Sequence, residues 1–537
     1  MASSAPKRWI GYRRLAELSG IDPVQPFPIT SCLGPSRRTD RVDGYVIETY
    51  PAPLDPGEDL RENLQFALKH EGVHLEFLAR FYTTQNPGFL EQWIQDTPTS
   101  FYARQAGFLY EWLTGRMLTF GGVQTGNYQW ALDPRQYVTA TASANNRRWR
   151  LRDNLPGTPA YCPIVRRTTQ VNTGAQYRCA QTLQKLDVEF GEDLLLRSAV
   201  WLTIKESKQS FVIEREGDQE DRIRRFAAVM ERRCGQGAVP LDGESLATLQ
   251  AEILGARTLG PAGLRRSPVF VGEERWTPVV HYIAPHWDQV PGLLNGLQAF
   301  VDRTAPVLGT SGGHDPDNAP LALHFVRAAV VSFGFVYIHP LADGNGRVSR
   351  FLINDMLRRD GAVPAPFILP VSATITQSHA RRYQYDEVLE VLSRPLMQRA
   401  QGNYAFGKTV VAEDGRETNF EFSGYDMLLP AWQYPDLTRH VEYVFDIVKQ
   451  TLEEQMREEA QLLRTWHRIR EQIKEVVEGP DMEIDRIIRS VRDTGGQISG
   501  KLKKQFPVLE DPAIGGQISA IVLGALNLAE DREEPSR

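Results

Sequence analysis

The stretch His339-Pro340-Leu341-Ala342-Asp343-Gly344-Asn345-Gly346-Arg347-Val348-Ser349-Arg350 decides how this chain is read. It falls between two helical signals, an apolar run from Leu321 to Ile338 and an amphipathic run from Arg347 to Arg358. Asp317, Asn318 and Pro320 stand before the first run as helix-entry signals. Gly344 and Gly346 both permit positive φ, so successive N–H groups of the loop are expected to converge into an anion-binding nest. That nest opens onto the N-terminus of the second helix, where free N–H groups and the helix dipole favour phosphate. Arg347 and Arg350 are three apart on that helix and can face the same phosphate groups. Asp343 offers a hard oxygen ligand suited to Mg2+ on a di- or triphosphate. His339, at the mouth of the loop with Pro340 stiffening the backbone behind it, suits a general base. Base, metal ligand, nest and two arginines amount to a nucleotide phosphate site. An EF-hand reading fails at Arg347, where an oxygen ligand is required, and at Asn354, which stands in place of the bidentate Glu. A plain turn has no need of a histidine and two arginines.

These residues resemble the signature of the Fic (filamentation induced by cyclic AMP) family, H-x-F-x-[DE]-G-N-G-R-x-x-R. Seven of its eight specified positions match, and the exception is Leu341 where the family usually has Phe. Both are apolar anchors, so the departure concerns packing rather than chemistry. The resemblance covers about residues 190 to 400. Ser267 to Ala284 looks like the family's target-docking flap, and Pro320 to Arg358 like its catalytic core. The resemblance implies transfer of AMP from Mg2+–ATP to a Ser, Thr or Tyr hydroxyl of a target protein. Carried over by position, His339 would deprotonate the hydroxyl and Asp343 would hold Mg2+. Gly344, Asn345 and Gly346 would cradle the phosphates, and Arg347 and Arg350 would bind their β/γ end. The related Doc-like kinases lack the second glycine, so Gly-Asn-Gly favours AMP transfer over phosphate transfer.

Two further segments follow from the same resemblance. Tyr385, within Arg381-Arg-Tyr-Gln-Tyr-Asp-Glu-Val-Leu389, resembles an aromatic near the family's adenine pocket; on composition alone it is equally a packing aromatic. Ser210-Phe-Val-Ile-Glu214-Arg215 resembles the S/T-x-x-x-E-G/N of an inhibitory helix, in the N-terminally inhibited class of protein adenylyltransferases. There the Glu pairs with the second motif arginine, here Arg350. Arg215 replaces the usual Gly or Asn. A nucleotide-binding regulator without transfer activity, a de-AMPylating enzyme, or another phosphoryl or nucleotidyl transferase are the alternatives.

The remainder divides by pattern into a mostly α protein with small β additions. Residues 1–189 are expected to form an α+β region, with residues 1 to about 60 rich in Pro, Gly and Arg and read as loop-rich. Helical spacing runs from Leu60 to Leu113, broken at Asn86-Pro-Gly88. Gln136 to Thr141 and Cys162 to Thr168 read as short strands flanking the polar run that begins at Ser143. Residues 190–265 form a helical segment carrying the inhibitory sequence, with helix from Gly191 to about Arg233. Residues 266–400 would hold the catalytic core that the resemblance implies, with a helix expected at Val290 to Thr304 and a linker at Val307 to Pro320. Residues 401–436 contain a second hairpin around Glu413-Asp-Gly-Arg416. Residues 437–537 are helical, led by a long charged helix from Leu437 to Val477.

Composition limits the function classes. The 537 residues are 42% apolar and 24% charged, a globular balance with room for several cores. Sixty-one basic against 67 acidic residues give a net charge of −6, which argues against a globally basic nucleic-acid binder. The N-terminus lacks an apolar signal core, and the run Ile518 to Leu528 is too short to span a bilayer. A cytoplasmic protein with no membrane partner is expected, with self-association into a homo-oligomer left open. Cys32, Cys162, Cys179 and Cys234 form no C-x-x-C pair and read as thiols in a reducing compartment. His70-Glu71-Gly72-Val73-His74 matches H-E-x-x-H, but Gly72 weakens the helix that zinc geometry needs. Gly309-Thr-Ser-Gly-Gly313 matches G-x-S-x-G without the preceding strand of a nucleophile elbow, and reads as linker.

Overall fold

A computed structural model describes residues 7–42, 44–123, 125–213, 220–255, 262–273, 278–306 and 322–530, with backbone alone at 192–200 and 527–530. The fold is mostly helical with four small sheets among the described residues. The chain divides into two compact units: Met1–Tyr177, Ser207–Pro364 and Val371–Val448 form one; Arg178–Glu206, Ala365–Pro370 and Lys449–Arg537 form the other.

In the first unit, the N-terminal segment is not loop-rich. Strands Trp9–Ile10, Ile29–Leu33, Tyr45–Tyr50 and Arg38–Val42 lie in that order in one sheet. Ile29–Leu33 runs parallel to Tyr45–Tyr50, and Arg38–Val42 is antiparallel to it. Composition hides this sheet because its outer strand, Arg-Thr-Asp-Arg-Val, is almost wholly solvent-facing and has no apolar alternation to read. The helices Leu60–His70, Leu75–Thr84, Gly88–Asp96 and Phe101–Thr114 follow. They bury Leu64, Phe77, Phe81, Trp93 and Leu109 in a common core, as their 3.6-residue spacing requires.

Gln136–Thr141 and Cys162–Thr168 are not paired strands; they meet at one bridge, Tyr137 with Arg166. Cys162–Thr168 is instead bonded to a distant segment, through Cys162 N–H to Gln433 O at 2.8 Å and Ile164 N–H to Pro435 O at 2.9 Å. The polar run between them supplies the strand Ala144–Asn146, antiparallel to Leu151–Asp153, whose other side pairs in parallel with Gln129–Trp130.

The core of this unit is the helix His324–Ile338, buried along nearly its whole length. It packs against Val290–Arg303 and against Asn345–Arg359, to which a buried Ser332 Oγ···Ser349 Oγ bond of 2.9 Å ties it. Two hairpins stand at the side, Phe270–Glu273 with Val279–Ile283, and Tyr404–Val411 with Glu417–Phe422. Both occur where the alternating patterns place them.

The second unit has its own core of Ile469, Ile484, Ile488, Ile518 and Val522. Of the expected long helix from Leu437 to Val477, the first unit holds most of Thr438–Gln450, and this unit holds a π-helical turn at Thr451–Gln455 and the helix Met456–Lys474. Arg470 clasps both oxygens of Asp485 at 2.8 and 2.9 Å. Cys32, Cys162, Cys179 and Cys234 are all buried free thiols. Burial pushes the Cys162 and Cys179 thiols up to about 12, which keeps both unreactive at neutral pH. No helix among the described residues is long and apolar enough to cross a membrane.

Candidate active site in the His339–Arg350 loop

The site forms where the buried helix His324–Ile338 stops. His339 takes the left-handed conformation, φ 50° and ψ 56°, and its N–H closes the helix on Phe335 O at 2.9 Å. A non-glycine residue held there is constrained by its surroundings, and here the constraint is visible. The buried Arg265 donates from Nε to His339 O at 2.7 Å and from its backbone N–H to Pro340 O at 2.9 Å. The other two guanidinium nitrogens reach Ser267 O at 3.0 Å and Pro285 O at 2.6 Å. Burial pulls the Arg265 guanidinium down to about 10, still protonated at neutral pH. His339 Nδ1 lies 3.2 Å from Val336 O. A carbonyl only accepts, so Nδ1 carries the hydrogen and Nε2 is the basic nitrogen of the neutral ring.

Leu341 is fully buried and bridges to Leu264, so it serves as the apolar anchor expected of it. Asn345 pins the turn: its Oδ1 accepts from Leu341 N–H at 3.0 Å and its Nδ2 donates to Leu341 O at 2.7 Å. Both ends of the Asn345 amide are therefore engaged with the loop's own backbone. Gln250, on the helix Gly243–Leu254, donates to Asp343 O at 2.8 Å and accepts from Gly263 N–H at 2.7 Å. The Asp343 side chain remains 59% exposed, 3.3 Å from Arg347 Nη2.

Gly344 has φ 86° and caps the helix Asn345–Arg359. Gly346 does not share that conformation; it lies in the first helical turn, so only one glycine of the pair supplies positive φ. The first turn holds no acidic residue and carries Arg347, with Arg350 at the start of the next turn; both are nearly fully buried. A helix N-terminus lined by cations has an electrostatic need for an anion. Arg347 lies over the ring of Phe211 at 5.2 Å. Arg350 donates from Nε to Ser210 Oγ at 2.7 Å and from Nη2 to Ser210 O at 3.2 Å. Ser210 and Phe211 close the helix Glu192–Ile213, so this helix end sits on the two motif arginines.

The structure therefore brings His339, Asp343, Gly344, Asn345, Gly346, Arg347, Arg350 and Ser210 into one site. Glu214 and Arg215 lie outside the described residues, as do Val307 to Leu321 with the G-x-S-x-G match. Tyr385 is placed in an aromatic cluster, 6.5 Å from Phe333 and 6.1 Å from Tyr443 between ring centres, with Arg382 over its ring. Sequence reasoning missed Arg265 and Gln250, which lie before the motif and carry no spacing signal towards it. The H-E-x-x-H match is broken in the backbone: its helix ends at His70, Gly72 has φ 87°, and His74 caps the next helix by accepting from Phe77 N–H at 3.2 Å. The two histidines therefore never share a helix face.

Residues 240–357 match the model of the Fic/DOC family. Over 125 residues the chain is 34% identical to the protein adenylyltransferase Fic of Culex quinquefasciatus, which covers 23% of this chain and 21% of that protein. The match thus spans about a fifth of the relative's length. Among solved structures, the crystal structure of a Fic family protein from Desulfovibrio desulfuricans G20 is 16% identical, with a TM-score of 0.33, covering 68% of this chain and 90% of that one.

Proposed function

We propose that this chain is a protein adenylyltransferase, moving AMP from ATP onto a Ser, Thr or Tyr hydroxyl of a protein acceptor, and that the end of the Glu192–Ile213 helix restrains it. The carrying observation is the junction at which one loop presents a histidine with a basic Nε2, an exposed carboxylate and two buried arginines around a helix N-terminus. The triphosphate fits that N-terminus, where the helix dipole and the two buried arginines favour an anion. Mg2+ fits Asp343, a hard and solvent-facing oxygen donor, and when bound would neutralise charge on the phosphates.

His339 Nε2 takes the proton of the acceptor hydroxyl. The hydroxyl oxygen forms its bond to the α-phosphorus as the bond from that phosphorus to the β-bridging oxygen breaks, and pyrophosphate leaves. Arg347 and Arg350 hold the departing charge, the term that dominates phosphoryl chemistry. The Val336 carbonyl keeps the proton of His339 on Nδ1, and Arg265 keeps the ring's backbone in place.

Restraint is supported by Ser210, which already occupies Nε and Nη2 of Arg350. By the resemblance to the inhibitory sequence, Glu214, four residues on in the sequence, would pair with Arg350. ATP could still enter, but with its α-phosphorus out of line, and small misplacements cost large factors in rate.

The test is ATP labelled at the α-phosphate with Mg2+, using wild type, Glu214→Gly and Glu214→Gly/His339→Ala. Slow transfer, faster transfer and no transfer are expected in that order, the loss of a general base costing about 10²- to 10⁴-fold. Labelling unchanged by His339→Ala removes His339 as base. A Glu214→Gly variant no faster than wild type removes the restraint. Nucleotide binding without covalent label in any variant favours the regulator over the enzyme.

A further inference from the structure

The second hairpin, Tyr404–Val411 with Glu417–Phe422, lies beyond the part of the chain that matches the Fic/DOC model. It is nonetheless built onto the base of the first. Asp414, in its turn, accepts at Oδ2 from Arg266 N–H at 3.0 Å and from Ser267 Oγ–H at 2.8 Å. Burial alone would raise the Asp414 carboxyl, but the bonds from Ser267, Arg266 and Arg416 hold it below its ordinary value. It is therefore ionised and charge-assisted in both contacts. Further along, Phe270 of the first hairpin lies 5.5 Å from Phe406 and 4.9 Å from Phe420 between ring centres. The turn and the aromatic side of the second hairpin thus both grip the first.

The gripped segment is the one that holds the catalytic loop. Arg265 stands next to the two residues that Asp414 binds, and its guanidinium spans Ser267 O, Pro285 O and His339 O. A line of hydrogen bonds runs from Asp414 through Ser267 and Arg265 to the backbone of His339. Its two middle members, Ser267 and Arg265, are buried. Such a chain transmits displacement because buried groups that lose a partner are costly to leave unpaired.

We propose that Asp414 is a positioning residue for the protein acceptor: it latches the second hairpin to the first, fixing the first hairpin's strands and the Arg265 clamp so that an acceptor hydroxyl is presented to His339. The proposal rests on the transfer reading given above. Asp414 has no contact with Arg347, Arg350 or Asp343 among its hydrogen bonds, so its loss leaves ATP binding alone.

The experiment compares the full chain with Asp414→Ala, Asp414→Asn and Ser267→Ala, all in a Glu214→Gly background. Amide hydrogen exchange is followed across 264–273 and 278–283 and, as the reference, across the helix Asn345–Arg359. Transfer is measured from α-labelled ATP to a tagged His339→Ala copy of this chain as acceptor, varying acceptor and ATP separately. Asp414→Ala is expected to speed exchange across the first hairpin by about tenfold, the cost of one charge-assisted bond, without changing exchange in Asn345–Arg359. It should raise KM for the acceptor by a similar factor while KM for ATP holds. Asp414→Asn, which keeps one acceptor oxygen, and Ser267→Ala should fall between. Unchanged exchange across 264–273 and 278–283 overturns the latch, as does a fall in kcat with the acceptor KM unmoved. If the Glu214→Gly parent transfers nothing, the transfer reading fails by itself, and the exchange comparison still decides whether Asp414 holds the hairpins together.

Discussion

At the scale of single residues, the site depends on two left-handed positions five residues apart. His339, at φ 50°, tolerates that conformation because Arg265 and the Phe335 carbonyl hold it; Gly344, at φ 86°, tolerates it because it has no Cβ. A Cβ built on Gly344 meets nothing nearer than Leu254 at 3.5 Å, so space is not what requires glycine there. The backbone is. Gly344→Ala should cost about 1–2 kcal/mol, the penalty of the left-handed region for an L-residue, and should slow transfer by tilting the first turn of Asn345–Arg359. A melting temperature and transfer rate equal to wild type would show that the loop reaches the same shape without it. His339, Asp343, Arg347 and Arg350 were legible at this scale because each is a chemically distinct side chain at a local spacing. Arg265 was not, since nothing about one arginine between a leucine and another arginine points to a loop further along the chain.

At the scale of elements, the long periodic helices were the readable part, while polar strands and helices whose ends are served by distant groups were not. The helix Tyr12–Ser19 shows why: its cap is Gly11, and the acceptor that serves it comes from another element. Glu71 accepts from Tyr12 N–H at 2.7 Å across the gap between two helices. Glu71 belongs to the false H-E-x-x-H match, and its actual work is to cap this buried helix start. Burial pushes its carboxyl up to about 7, against the pull of the Tyr12 and Ser31 bonds. The folded protein therefore holds a proton that the unfolded chain releases near 4.5. Stability from this group is full below about 4.5, is lost as pH rises towards 7, and levels off above it. The swing is up to about 3 kcal/mol. Glu71→Gln should flatten that part of a melting-temperature profile between pH 5 and 7. A slope that survives the substitution assigns it to other groups.

At the scale of the whole molecule, the chain holds two compact units, each with its own hydrophobic core. Chains of this kind need not melt in one step. Ile518 is fully buried in the second core, and Ile518→Ala should cost about 2–5 kcal/mol there. In calorimetry this should lower one transition and leave another, containing the His339 site, in place. A single transition displaced as a whole would mean that the units unfold together. The division was not visible in the sequence, because the second unit is assembled from three separated stretches.

The sequence by itself determined the chemistry of the loop, the two helices that flank it and the two hairpins. Those features are set by neighbours within a few residues, where chain connectivity and helical or alternating periods dictate which side chains meet. Only the tertiary structure decided which distant groups would hold that chemistry in place. Ser210 reaches Arg350 across 140 residues, Arg265 reaches His339 across 74, and Asp414 reaches Ser267 across 147. Each is a hydrogen bond to a buried partner. Such partners are selected by the packing that first desolvates them and then makes leaving them unpaired costly, and no local period encodes that choice.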